Sequence, residues 1–209
     1  MRGSWVSAPD HGCVVSVNVG EPQPSRWRGK TILTGIYKSP VDGRVALAGD
    51  RVDGDRQADR RHHGGRDKAV YAYAGEDLVW WTAQLDRPMP PALLGENLTL
   101  LGLDVSAALV GERWAVGSAV LEVTMPRTPC FKLGIRMGDQ RFVRRFAAAA
   151  RPGAYLRIIN EGEIGTGDTA TVLHRPDHLI SVAAIAAATR KHAGGGLGLL
   201  AAAQRALEN

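Results

Sequence analysis

Apolar residues recur along the chain in short blocks bounded by Gly, Asp or Pro. Val14-Val15-Ser16-Val17-Asn18-Val19 alternates and is β-branched, the pattern of a half-buried strand. Thr31 to Tyr37 predicts a second strand closed by Ser39-Pro40, and Val45 to Leu47 a short third one after the turn at Val41-Asp42-Gly43-Arg44. Further strands are predicted over Lys68 to Ala74, Asn97 to Leu101, Arg113 to Val116, Ala119 to Thr124, Tyr155 to Ile159 and Thr169 to Leu173. Helical periodicity covers Glu76 to Leu85, with acids in its first turn that suit the helix dipole, and Asp139 to Ala149, stopped by Pro152-Gly153. From Ser181 the chain is Ala-rich and broken at Gly194-Gly195-Gly196, which predicts two short helices.

Many short strands with few helices between them predict a mainly β (α+β) fold, a barrel or closed Greek key with peripheral helices. The expected division is a barrel over residues 1–175 and a helical C-terminal appendage over 176–209, with no internal repeat. One stretch fits neither core nor ladder: Gly49 to Lys68 is crowded with Asp and Arg, carries two His, and has Val52 as its one large apolar residue. Such a segment is a surface loop or lines something polar, and it is placed at the mouth of a binding site.

Composition narrows the class. At 209 residues, 44% hydrophobic and 22% charged, the chain supports one sizeable core. No apolar run approaches the ~20 residues of a membrane helix, and the first ten residues lack a signal peptide's apolar centre. Two cysteines do not make a disulfide framework, so a cytoplasmic protein is expected. The net charge of +5 comes from 21 Arg against 5 Lys, scattered and not interleaved with aromatics. That argues against nucleic acid and leaves room for a small phosphate-bearing ligand, which needs two or three well-placed cations. Nothing in the sequence separates a monomer from a homodimer.

The candidate chemistry centres on Cys130, in Met125-Pro126-Arg127-Thr128-Pro129-Cys130-Phe131-Lys132-Leu133. The two prolines stiffen the chain and are expected to bar both a sheet ladder and a helix here. Arg127 and Lys132 favour the thiolate, the form that attacks or binds metal; the alternative is a buried thiol used as a small hydrophobe. Adjacent His62 and His63 point to opposite sides of an extended chain and do not share one metal easily. Asp53-Gly54-Asp55 lacks the glycine and final acid of a calcium loop, and Gly194-Gly195-Gly196-Leu197-Gly198 lacks the strand of a dinucleotide site. Gly95-Glu96-Asn97 sets hydrogen-bonding groups at a strand entrance, with a plain turn as the alternative.

Five segments occur in an order and spacing that resemble MOSC domains, named for the C-terminal domain of molybdenum cofactor sulfurase. They are Lys38-Ser39-Pro40, Asp53 to Asp59, His62-His63-Gly64-Gly65, Gly95-Glu96-Asn97-Leu98 and Pro126 to Leu133. The likeness runs from about Lys30 through Asp177 and is greatest to the stand-alone bacterial branch that protects cells against N-hydroxylated bases. It implies a β-barrel and a molybdenum–pyranopterin cofactor with Cys130 on the metal, as both ligand and catalytic residue. Lys38, Ser39, Arg56, His63, Asn97, Arg127 and Thr128 are then the cofactor contacts, with Lys38, Arg56 and Arg127 for its phosphate. A soft thiolate suits a metal that changes oxidation state. Phe131 stands where the family often has Tyr. The implied activity is reduction of N-hydroxylated bases or related compounds; a non-catalytic cofactor carrier needs the same residues. No iron–sulfur cluster pattern and no flavin or nicotinamide fingerprint occurs, so a separate electron-donor reductase is expected.

Overall fold

The computed structural model describes residues 10–59, 64–191 and 195–207. The strands are β1 (His11–Val19), β2 (Gln23–Trp27), β3 (Lys30–Thr34), β4 (Ser39–Pro40), β5 (Arg44–Ala48), β6 (Arg51–Val52), β7 (Val70–Ala74), β8 (Leu98–Leu101), β9 (Arg113–Val116), β10 (Ala119–Pro126), β11 (Ala154–Asn160), β12 (Gly162–Gly165) and β13 (Thr169–His174). The helices are α1 (Gly75–Leu85), α2 (Phe131–Met137), α3 (Arg141–Ala148), α4 (Val182–Lys191) and α5 (Gly195–Ala206). Seven strands follow the order β13-β9-β10-β11-β7-β8-β1, and β1 pairs back onto β13 to close the barrel. Closure leaves these strands no free edge. Neighbours are antiparallel except β7 and β8, which run parallel across the connection containing α1.

β7 shows how the layers arise. All five of its residues are buried. Val70, Ala72 and Ala74 face the barrel interior, where Val14, Leu98, Leu121 and Leu156 also pack. The alternate residues Tyr71 and Tyr73 point outward into a second cluster with Trp81, Leu133, Met137, Phe142 and Phe146. Helices α1, α2 and α3 therefore cover one outer face of the barrel through an aromatic layer. The C-terminal helices add Val182, Ile185 and Ala203 to the interior cluster. No helix among the described residues is long and apolar enough to cross a membrane.

The mainly β expectation with peripheral and C-terminal helices holds, with local corrections. The strand predicted over Thr31 to Tyr37 ends at Thr34, and its partner Gln23–Trp27, two prolines in its neighbourhood notwithstanding, forms a hairpin with it. Arg28 and Gly29 both take positive φ (47° and 78°), the two-residue turn whose twist matches the strands it joins. Short β4, β6 and β12 also carry no sequence signal; β12 pairs with β5 because Ile164 is drawn into the core. The prolines around Cys130 do not act as expected. Pro126 is the last residue of β10, opposite Ala154, and α2 starts directly after Cys130. Pro129 precedes that helix, where its missing N–H costs no helical hydrogen bond.

Candidate functional site

Cys130 is half-buried and lies at the entrance to α2, whose Leu133 is fully buried and whose Met137 is nearly so in the aromatic layer. Burial of each such side chain is worth about 1.5–3 kcal/mol. The thiol is therefore positioned by its neighbours' packing. It lines a cleft with Gly35, Ile36, Lys38, Asp55, Arg56, Gln57, Asn97, Arg127, Thr128, Lys132, Tyr71 and Tyr155. The cleft holds about 670 Å³ of empty space, part of it open solvent. The polar stretch expected at a site mouth contributes Asp55 through Asp59 and Lys68. Its approach is close: a Cβ on Gly35 would sit 2.5 Å from the Arg56 carbonyl oxygen.

The cleft floor is a buried polar network. Lys38, 8% exposed, is ion-paired to Asp55 Oδ1, which also accepts the Gly20 N–H at 2.9 Å. Asp55 Oδ2 accepts from Asn97 Nδ2 at 3.0 Å. Asn97 also donates to the Asn18 carbonyl at 3.2 Å, and its Oδ1 accepts the Tyr71 N–H at 3.1 Å. Burial lowers the Lys38 pKa, against the pull of Asp55. Asn97 thus holds Asp55, and Asp55 compensates Lys38, so the Lys38 charge is already committed within the protein.

Behind this floor Glu96 is fully buried, accepting from the Ala92 and Leu94 N–H groups at 2.8 and 3.1 Å and the Thr99 hydroxyl at 3.2 Å. Its loss of hydration pushes its pKa up to about 7. Burial likewise raises the phenols of Tyr71 and Tyr155, which stay neutral over the physiological range.

Arg127 differs from Lys38. Its side chain is 7% exposed, stacks over Tyr71 at 5.0 Å and Phe146 at 5.6 Å, and leaves its buried Nη1 without a hydrogen-bond partner. A buried donor left unmade costs about 1–3 kcal/mol, more when charged. An anion brought within reach of Nη1 would remove that cost.

Of the residues singled out from sequence, Cys130, Lys38, Arg56, Asn97, Arg127 and Thr128 meet in this cleft. Arg56 stands at its edge, 71% exposed, with Nε 3.5 Å from Glu21. Ser39 does not line it; it is exposed on β4, opposite Val19. His63 and its neighbour His62 lie outside the described residues. Sequence reasoning missed Tyr71 and Tyr155, which read there as plain strand residues, and it took Asp55 only as part of a motif. The signal for Asp55 was available: an acid within a loop whose cations are otherwise in excess. No group of three or more His, Cys, Asp or Glu that would cage a metal occurs among the described residues. A single thiol can hold only a metal that arrives with its other ligands.

The fold and the cleft define a β-barrel protein with one cysteine set among cations, and comparison with known proteins gives the family. The MOSC domain model matches residues 59–171, so the chain belongs to the MOSC family. It is 38% identical to YflK of Bacillus subtilis over 169 residues, covering 81% of this chain and 76% of that one. It is 33% identical over 174 residues to a Gibberella moniliformis protein called a reductase, matching 80% of this chain but only 30% of that protein's length. The crystal structure of YiiM from Geobacillus stearothermophilus superposes with a TM-score of 0.69 at 26% identity, over 94% of this chain and 99% of that one.

Proposed function

We propose that this protein is a molybdenum-cofactor-dependent oxidoreductase that reduces N-hydroxylated bases or related N-oxygenated compounds. One observation carries the proposal: the half-buried Cys130 thiol and the buried Arg127, whose Nη1 has no hydrogen-bond partner, line the same cleft. The residues present fit the group. Cys130 would supply the soft thiolate ligand. Arg127, with Lys132 and Arg56 nearer the mouth, would hold the pterin phosphate, while Lys38 is spent on Asp55 and shapes the floor instead. Bound there, the cofactor supplies a metal able to pass two electrons to a substrate N–O bond. Half-buried Tyr155, neutral and packed on Tyr71, offers an aromatic surface on which a planar base can rest. The overall change balances as R–NHOH plus two electrons plus two protons giving R–NH2 plus water.

Membership of the MOSC family and a relative called a reductase support this reading. The experiment is molybdenum per chain, fluorescence of the released oxidised pterin, and turnover of an N-hydroxylated purine with a competent reductase. Molybdenum bound through Cys130 with turnover is expected. A chain that never takes up molybdenum refutes the proposal, and a loaded chain inactive with every donor makes it a cofactor carrier.

A further inference from the structure

The β2–β3 hairpin stands apart from the barrel. Among the described residues its two strands pair only with each other. Its tip is fixed beside the site because Trp27 stacks on Phe131, the residue after Cys130, with centroids 5.0 Å apart and planes at 26°. The inner face carries Ser25, Trp27 and Ile32, half-buried against the body. The outer face carries Pro24 opposite Leu33 and Arg26 opposite Thr31. Leu33 is 60% exposed. Arg26, Arg28 and Lys30 are exposed and none of the three forms an ion pair with a described residue, while the Arg28 guanidinium lies over the Trp27 ring at 5.3 Å. Between Glu21 and Asp42 the chain contains no acid at all.

We propose that the outer face and tip of this hairpin dock an acidic one-electron-carrier protein, which supplies the two electrons of the reduction in successive transfers. The inference rests on the proposed function, because a chain without its own iron–sulfur, flavin or nicotinamide pattern must receive electrons from outside. Charge complementarity selects the partner. Three uncompensated cations around an exposed Pro–Leu pair match the anatomy of a transient interface, a small apolar centre with a charged rim that speeds encounter. Position selects the role: a partner seated on the tip meets Arg28, which lies over Trp27 of the Trp27–Phe131 stack, and Phe131 is one residue from the thiol that would hold the metal. Arg26, Arg28 and Lys30 lie outside the cleft lining, so the surface is separable from the site.

The test compares the wild-type chain with the double variant Arg26→Glu, Lys30→Glu, which leaves Arg28 over Trp27, using an acidic [2Fe–2S] ferredoxin and reduced riboflavin, a small diffusible donor that needs no protein docking. Calorimetric titration of the cofactor-free chain with oxidised ferredoxin reads docking directly. Affinity should fall ~10-fold or more in the variant, and wild-type affinity should weaken steeply between low and physiological salt. Ferredoxin-supported turnover should fall likewise, while riboflavin-supported turnover stays within ~2-fold of wild type. Equal ferredoxin affinity for both chains overturns the proposal. So does parallel loss of riboflavin turnover, which would make the hairpin part of the site, and so does wild-type binding to anionic vesicles but not to ferredoxin. A loaded wild-type chain inactive with both donors refutes the proposed function instead, and the titration still decides the docking.

Discussion

Lys38 and Asp55 form an ion pair with side chains only 7% and 5% exposed, and the second carboxylate oxygen of Asp55 is held by Asn97. The pair brings together strand-proximal Lys38 and the polar loop that the sequence marked as too hydrophilic for core. The loop is tied down there by electrostatics where a shorter loop would be tied by apolar packing.

Removing one partner of this pair is therefore expected to cost more than removing both. Asp55→Asn leaves a buried ammonium unpaired, and stability should fall by about 3–5 kcal/mol. The double variant Lys38→Met, Asp55→Leu should be less destabilised than Asp55→Asn alone. Urea unfolding of the three chains measures it. A double variant as destabilised as Asp55→Asn or more would mean that the two side chains do not act as a unit.

Arg127 gives a prediction with opposite signs on two readouts. Its unpartnered Nη1 is a cost to the cofactor-free protein, although the Tyr71 and Phe146 rings return about 0.5–2 kcal/mol by cation–π contact. Arg127→Met keeps most of the stem volume and removes the buried charge. The cofactor-free protein should keep or gain thermal stability, while molybdenum content after expression falls on the order of 10-fold. A large drop in the unfolding temperature with molybdenum content intact would make Arg127 a structural residue.

Much of this site was legible because it is carried by residue types that local physics does not otherwise want: a cysteine between prolines, an acid and amide after a glycine, a loop of charges. The barrel was legible from strand spacing. What escaped is long-range. Tyr71 and Tyr155 belong to strands with no polar role in sequence, and only the outward face of β7 and the register with β11 bring them to the cleft. Trp27 sits in a segment opened by prolines, and its strand exists because Lys30–Thr34 pairs with it across a left-handed two-residue turn. Helix α2 escaped because seven residues are too few for a periodic signal, and it is held by burial of Leu133 and Met137.

Glu96 predicts the direction of a pH effect. Its pKa rises from an ordinary 4.5 to about 7 because burial disfavours the carboxylate. In this window the unfolded chain has released its proton while the folded chain still holds it. Stability is therefore fully present below pH 4.5 and declines as pH rises through about 7, by roughly 3 kcal/mol for this group. Glu96→Gln cannot ionise, so its stability should not show this component between pH 5 and 7.5. Parallel pH dependence of the two chains in chemical denaturation would show that Glu96 is not the group responsible.

Cys130→Ser separates the chemistry of the site from its architecture. Serine nearly keeps the volume and the helix entrance, so α2 should still dock through Leu133 and Met137 and the unfolding midpoint should move little. Its hydroxyl stays protonated near neutral pH and is a hard donor, a poor substitute for a soft thiolate. Changes one layer away from a metal already cost about 10–100-fold in affinity or activity, so loss of the ligand itself should lower reduction of an N-hydroxylated purine by ~100-fold or more. Pterin content should fall less than molybdenum-dependent turnover, because Arg127 and Lys132 remain in the cleft. Cys13 is exposed on β1, lies outside the cleft lining, and cannot take over. Wild-type turnover in the serine variant, with normal molybdenum per chain, would remove Cys130 from the mechanism.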